Sequence, residues 1–227
     1  MITDRAAAQP RRSSVRRTRG RGDAAGNGPP AEVTRATEPK QARAHATRER
    51  LLDAFADLLD LLGDRSYSEI SVADIAAAAD VTTGAVYARF GDKHGVAVAL
   101  AERFLLTSFE LMDSWYGQER WASATPREIV DNWTRGAINY GRMYRPYLTL
   151  MLDDRSLRDK HTAIIDHSSR HLANLLRNAM GGPVDEHFDG DVEFAARAIL
   201  ERFEMQDDEE SHARISRLIC RITGVEE

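Results

Sequence analysis

The side chains best spaced for chemistry lie between residues 71 and 93, SVADIAAAADVTTGAVYARFGDK. Thr83, Gly84 and Ala85 open a predicted helix, Tyr87 and Arg89 follow on it, and Lys93 comes just after Gly91 and Asp92. Small residues at a helix N-terminus let that helix sit deep in a DNA major groove. There the Thr83 hydroxyl can bond a base edge, and its methyl or that of Ala85 can touch a thymine methyl. Tyr87 and Arg89 are then placed for flanking phosphates, and Lys93, at the start of the next helix, for one more. Taken singly, Tyr87 also reads as a packing residue and Arg89 as a solvated charge; the ordered set is what points to nucleic acid.

Two short helices joined by a tight turn must position these groups. Ser71 predicts an N-cap with Asp74 as its capping-box partner, and Val72, Ile75, Ala76 and Ala79 repeat at helical spacing on one apolar face. Asp80 tolerates left-handed backbone angles, so the first helix should end there, with Val81 dropping between the two helices and Thr82 capping the second, which runs from about Thr83 to Phe90. Ahead of them, Leu51, Leu52, Phe55, Leu58, Leu59 and Leu62 form one stripe from about Thr47 to a C-capping Gly63, with Tyr67 and Ile70 closing the base of this core. Arg43 and Arg48, near the start of that helix, are placed to touch the DNA backbone. The DNA-facing set is thus Arg48, Ser71, Thr82, Thr83, Gly84, Ala85, Tyr87, Arg89 and Lys93.

This block resembles the DNA-binding domain of the TetR family of bacterial transcriptional regulators. Its typical run, A-x-x-A-x-V-[ST]-x-[GP]-x-[LVI]-Y-x-[YH]-F-x-x-K, is met at Ala76, Ala79, Val81, Thr82, Gly84, Val86, Tyr87, Phe90 and Lys93. Asp80 stands where the family usually has Gly, and Arg89 where Tyr or His is usual; the second adds charge and neither removes DNA binding. The resemblance is strong over about residues 45 to 100. It implies a repressor, a small-molecule effector bound in a C-terminal helical domain, a long helix carrying the signal to the reading head, and a two-fold dimer.

Composition agrees with a globular chain: 227 residues, 42% of them hydrophobic, are enough for a real core. A single cysteine, Cys220, excludes an internal disulfide and any cysteine cluster, and fits a reducing cytoplasm. No run approaches the roughly 18 apolar residues of a membrane span. The net charge of −5 hides an asymmetry, because residues 1 to 50 hold 12 Lys or Arg against 5 Asp or Glu while the remaining body is acidic. Local potential rather than net charge steers association, so a basic front end orients the molecule towards DNA by one side. Residues 1–42, with RRSSVRRTRGRGD, have too little apolar surface to offset chain entropy and are expected as a disordered basic arm, able to lie along phosphates or to remain a solvated tail. The organisation expected is this arm, a DNA-binding domain over 43–93 and a helical ligand-binding and dimerisation domain over 94–227.

The rest of the chain shows helical periodicity and no strand pattern, which makes the expected fold all-α. A long helix runs from about Asp92 to Tyr116, another opens at Pro126 and is stopped by Pro146, a short one covers about Tyr147 to Leu152, and a long one runs from about Ser156 to Met180. A last pair covers about Gly190 to Met205 and Glu209 to Thr223. Aromatic and methionine residues concentrate at Phe104, Met112, Trp115, Trp133, Tyr140, Met143, Tyr144, Tyr147 and Met151; they can line a pocket for a flat or greasy molecule, or be plain core. In the last pair, Phe194, Ala198, Phe203, Ile215, Leu218 and Ile222 suit a four-helix interface between two copies. A single reading head makes few contacts, so a homodimer on a near-palindromic site of double-stranded DNA is the natural expectation.

His161, His167 and His171 lie near Asp153, Asp154 and Asp166. His167 and His171 are one turn apart, a spacing able to hold a divalent metal, but no catalytic context such as HExxH accompanies them, and neither a metal nor another cofactor is expected. An enzyme built on these histidines lacks any nucleophile, base and orienter at usable spacing. The other rival is a TetR-like protein-interaction module that has kept the fold without sequence-specific DNA binding.

Overall fold

Ser71 and Thr82 build the two turns that matter most. The Ser71 hydroxyl accepts from the Asp74 N–H while the Asp74 carboxylate accepts from the Ser71 backbone and hydroxyl, so helix α2 (Val72–Ala78) starts on a full capping box. Asp80 adopts φ 52°, the left-handed turn its short polar side chain tolerates, and α3 (Thr83–Phe90) begins on the Thr82 cap. The structure, a computed structural model, describes residues 40–63, 65–184, 186–200 and 209–225. The basic arm lies outside the described residues up to 39, as do Phe203 and the end expected for the helix reaching Met205.

Helix α1 (Lys40–Leu62) opens about two turns before the start expected near Thr47, so residues 40 to 42, expected in the arm, are helical; Lys, Gln and Ala there are good helix formers that need no core. It buries Leu51, Leu52, Phe55 and Leu59 against Ile75 of α2, Val86 of α3 and the first turns of α4 (Lys93–Tyr116), where Val96, Ala97 and Leu100 point inward. Val81 packs half-buried against the same core.

Helix α4 then runs into the second layer. Helix α5 (Pro126–Met143) starts on a Thr125–Glu128 capping box with Pro126 in its first turn, and is followed by α6 (Arg145–Asp153), α7 (Arg158–Met180), α8 (Phe188–Leu200) and α9 (Glu209–Thr223). Pro146 does not stop α5: that helix ends at Met143, and Pro146 sits in the first turn of α6, where its missing N–H leaves no bond unmade. Helix α7 ends on Gly181 at φ 64°, an αL cap. Helix α6 packs on α1, α4, α5 and α7, so it touches both layers, while α8 and α9 close the far side against α5 and α7. Among the described residues there is no strand, and no helix is long and apolar enough to cross a membrane.

Candidate nucleic-acid interface

The N-terminal turn of α3 is bare. Thr83 and Gly84 are exposed, Ala85 is half-buried, and Val86 anchors the opposite face in the core. The Thr82 hydroxyl accepts the Ala85 N–H at 3.3 Å, so it serves the helix terminus. Tyr87 is 54% exposed, on the same outward side. Arg89 is exposed, with its guanidinium folded back to the Ala85 carbonyl at 3.2 Å; this single bond between solvated groups is easily exchanged for a phosphate oxygen.

Two cations expected at the DNA are used differently. The Lys93 ammonium turns inward and donates to the Ser68 carbonyl at 2.9 Å and the Tyr67 carbonyl at 3.4 Å, lying 5.3 Å from the centre of the Tyr67 ring. It ties the start of α4 to the loop before α2. Arg48 lies over the Phe90 ring at 5.6 Å and beside Glu49, bracing α1 against the end of α3. Ser71 is spent on its capping box.

Helix α3 is fixed on α4 by contacts that its own spacing does not signal. Gly91, at φ 79°, caps α3, and the Asp92 carboxylate accepts the Gly95 N–H at 2.7 Å to start α4. A Cβ on Gly95 would lie 1.9 Å from the Phe90 carbonyl oxygen, so only glycine allows the two helices to meet this closely. Arg103 of α4 also binds Glu49 at 3.2 Å and Asp53 at 2.7 Å on α1. At the base, Tyr67 donates its hydroxyl to Asp154 at 2.8 Å, and the same carboxylate oxygen lies 3.0 Å from His94 Nδ1. Burial and the Asp154 charge push the Tyr67 phenol up to about 12, keeping it a neutral donor. Burial raises the Asp154 carboxyl, but bonds from Ser156 and Tyr67, with His94 beside it, outweigh this and hold it below its ordinary value.

Behind the reading head, the aromatic residues fall into two groups. Phe104 stacks on Tyr147 at 4.7 Å and meets Tyr144 at 5.3 Å, while Tyr140 donates to the Ser108 hydroxyl at 2.7 Å. Burial, and Asp60 of α1 nearby, push Tyr147 up to about 12. The second group is a buried polar cluster. The Trp133 indole N–H lies 2.9 Å from the Tyr116 hydroxyl and 3.2 Å from that of Ser168, and these two hydroxyls are 2.8 Å apart. Burial drives the Tyr116 phenol well above its ordinary value. Trp115, half-buried, packs on Trp121, which the sequence reading left out and whose indole donates to the Trp115 carbonyl at 2.8 Å. Met112 and Met151 are buried in this layer, whereas Met143 is 58% exposed on the last turn of α5 and faces away from it. An open cleft of about 290 Å³ between α7 and α8 is lined by Arg170, Arg177, Asp189 and Glu193 among others, and is polar where the aromatic layer is not.

On the outer pair, Phe194, Ala198 and Leu218 are exposed and Ile222 half-buried, but Ile215 faces inward with 7% exposure: α9 turns that side onto α5 and α8. His161 is buried apart from the other histidines. His167 and His171 converge on Asp113 of α4, at 2.7 Å and 3.1 Å, and none of the carboxylates expected from sequence joins them; Asp154 belongs to the Tyr67 contact and Asp166 to Arg197. Nothing in the spacing of α7 could have named a partner 54 residues away.

The sequence profile of the bacterial regulatory proteins of the tetR family matches residues 57–100, from the middle of α1 into α4. None of the curated proteins matches the chain. Among solved structures, the chain is similar to RolR in complex with the ligand resorcinol, at 16% identity over 82% of this chain and 92% of that one, with a TM-score of 0.55. It is also similar to a putative TetR-family regulator from Rhodococcus sp., at 15% identity over 78% and 99% with a TM-score of 0.49, and to a TetR-family regulator from Streptomyces coelicolor, at 24% identity over 82% and 100% with a TM-score of 0.44. With the family's profile lying on the capped, outward-facing helix pair described above, residues 57–100 match the tetR family of bacterial regulatory proteins, and the chain is a DNA-binding regulator.

Proposed function

We propose that the chain represses transcription as a homodimer on a near-palindromic operator and releases it when a small aromatic effector enters the layer formed by α4, α5, α6 and α7. The observation that carries this reading is the buried Trp133–Tyr116–Ser168 cluster on α5, α4 and α7. Two hydroxyls and an indole N–H amid aromatic rings offer both stacking faces and hydrogen-bond partners, the combination that a phenol or a similar flat polar-edged molecule requires. Tyr116 stands on the same helix whose first turn is clamped to the reading head by Lys93 and Gly95, so a shift of α4 on effector entry is transmitted to α3. RolR, similar in fold, is described with resorcinol bound, which makes resorcinol a sensible first probe. The exposed Phe194, Ala198 and Leu218 supply the face for a second copy, and two reading heads give the contacts that one lacks. The chain is read as a cytoplasmic regulator without catalytic activity.

The test is a selection of bound fragments from sheared genomic DNA with the purified full chain and a Thr83→Ala, Arg89→Ala control, followed by release of the enriched fragment with simple phenols. All three tryptophans, Trp115, Trp121 and Trp133, lie in or beside the aromatic layer, so their fluorescence reports binding directly. Enrichment of a near-palindrome lost in the control, with release and a fluorescence change on effector addition, supports the reading. Enrichment without any phenol response overturns its effector part, and a single-sided site overturns the dimer.

A further inference from the structure

We propose that Asp113, His167 and His171 bind one divalent transition-metal ion of the zinc class, stapling α4 to α7. The two imidazoles stand one turn apart on α7 and aim their Nε2 atoms at the same Asp113 oxygen across the helix interface, at 2.7 Å and 3.1 Å. All three donor atoms lie within 4.8 Å of one another. A tetrahedral ion with ligand bonds of about 2.0–2.1 Å needs its donors roughly 3.3 Å apart, so the two His–Asp113 pairs, at 2.7 Å and 3.1 Å, have only to open by about half an ångström or less to admit it.

The rings are already held for this. His167 stacks on Phe109 at 4.2 Å with 19° between planes, and His171 on Tyr116 at 4.7 Å with 12°. Tyr116 is in turn fixed by Ser168 and Trp133, so the backing of His171 is part of the buried cluster and its orientation costs little on binding. The two rings meet edge to face with their centres 4.6 Å apart, which keeps both ring nitrogens on the same side of the helix interface as Asp113. Two imidazoles and a carboxylate suit zinc and its neighbours better than magnesium or calcium. Asp113 is exposed, which gives an ion an entry path and leaves a fourth position for water or an incoming donor. A metal there would join the helix that leads from the reading head to the helix beneath the aromatic layer, two elements that touch without any covalent tie.

The experiment uses tag-free full-length protein, stripped with chelator and titrated with Zn2+ against a chromophoric competitor. One ion per chain is expected, with His167→Gln and His171→Gln each weakening binding by at least about tenfold. If the double variant binds Zn2+ as tightly as the parent chain, the trio is an ion pair only and the proposal falls. A measurement on the unmodified chain guards against variants that misfold: Zn2+ must shift the ring resonances of two of the seven histidines, and assignment of those shifts to any pair other than His167 and His171 overturns the site.

Discussion

The Tyr67 hydroxyl donates to Asp154 Oδ2 at 2.8 Å across 87 residues of chain, joining the loop before the reading head to the turn between α6 and α7. The same carboxylate oxygen meets His94 on the first turn of α4, and its partner oxygen takes the Ser156 N–H and hydroxyl. One side chain therefore touches the DNA-binding helices, the helix leaving them and the ligand-side helices. Tyr67→Phe removes the donor but keeps the ring, and because the acceptor is ionised it should cost about 1.5–3 kcal/mol. Urea unfolding reads this; an unchanged midpoint would make the contact idle.

Acid should loosen the same contact. The Asp154 pKa is lowered in the folded chain relative to about 3.9 in an unfolded one, so its contribution is whole above that value and is lost as pH falls through the folded pKa. Thermal stability of the native chain should therefore drop more steeply below about pH 4 than that of Asp154→Asn, which has no proton to take up there. Parallel curves would remove Asp154 from the account.

Gly95→Ala places a methyl 1.9 Å from the Phe90 carbonyl, against backbone that cannot swing aside. The α3–α4 junction must shift, at about 1–3 kcal/mol or more, and DNA affinity should fall further than stability alone explains, since α3 is displaced with it. Calorimetry and a binding titration on one preparation separate the two losses. Unaltered binding would show that the junction has slack.

Thr83→Ala and Arg89→Ala should fail in different ways. Losing the Thr83 hydroxyl should relax preference at one base position by about 1–3 kcal/mol, whereas losing Arg89 should weaken all sequences alike and reduce the salt slope by about one. Affinities on matched and mismatched sites across a salt series distinguish them, and a swapped pattern would exchange the roles.

Leu218→Glu puts a charge on a side chain that is 52% exposed and outside the chain's own core, so the fold should survive. Sedimentation should change from dimer to monomer, and binding to a two-half-site fragment should drop towards that of a single head. A dimer that persists would move the interface elsewhere.

Much was legible in the sequence because much is local. Ser71 with Asp74, Thr82, Asp80 and Pro126 each act within four residues, and the stripe from Leu51 to Leu62 names the buried face of α1 without any knowledge of what covers it. These local rules determined helix order, the helix-turn-helix and its outward residues. Tertiary structure alone decided that Lys93 turns to the Ser68 carbonyl, that Met143 faces out while Ile215 faces in, that Phe90 leaves no room for a side chain on Gly95, and that Asp113 meets His167 and His171. The physical reason is that helical spacing fixes which side chains share a face, whereas the crossing angle and sliding register between helices come from how their ridges interlock. A one-turn slide of α4 along α7 would leave every capping box intact and part Asp113 from both histidines.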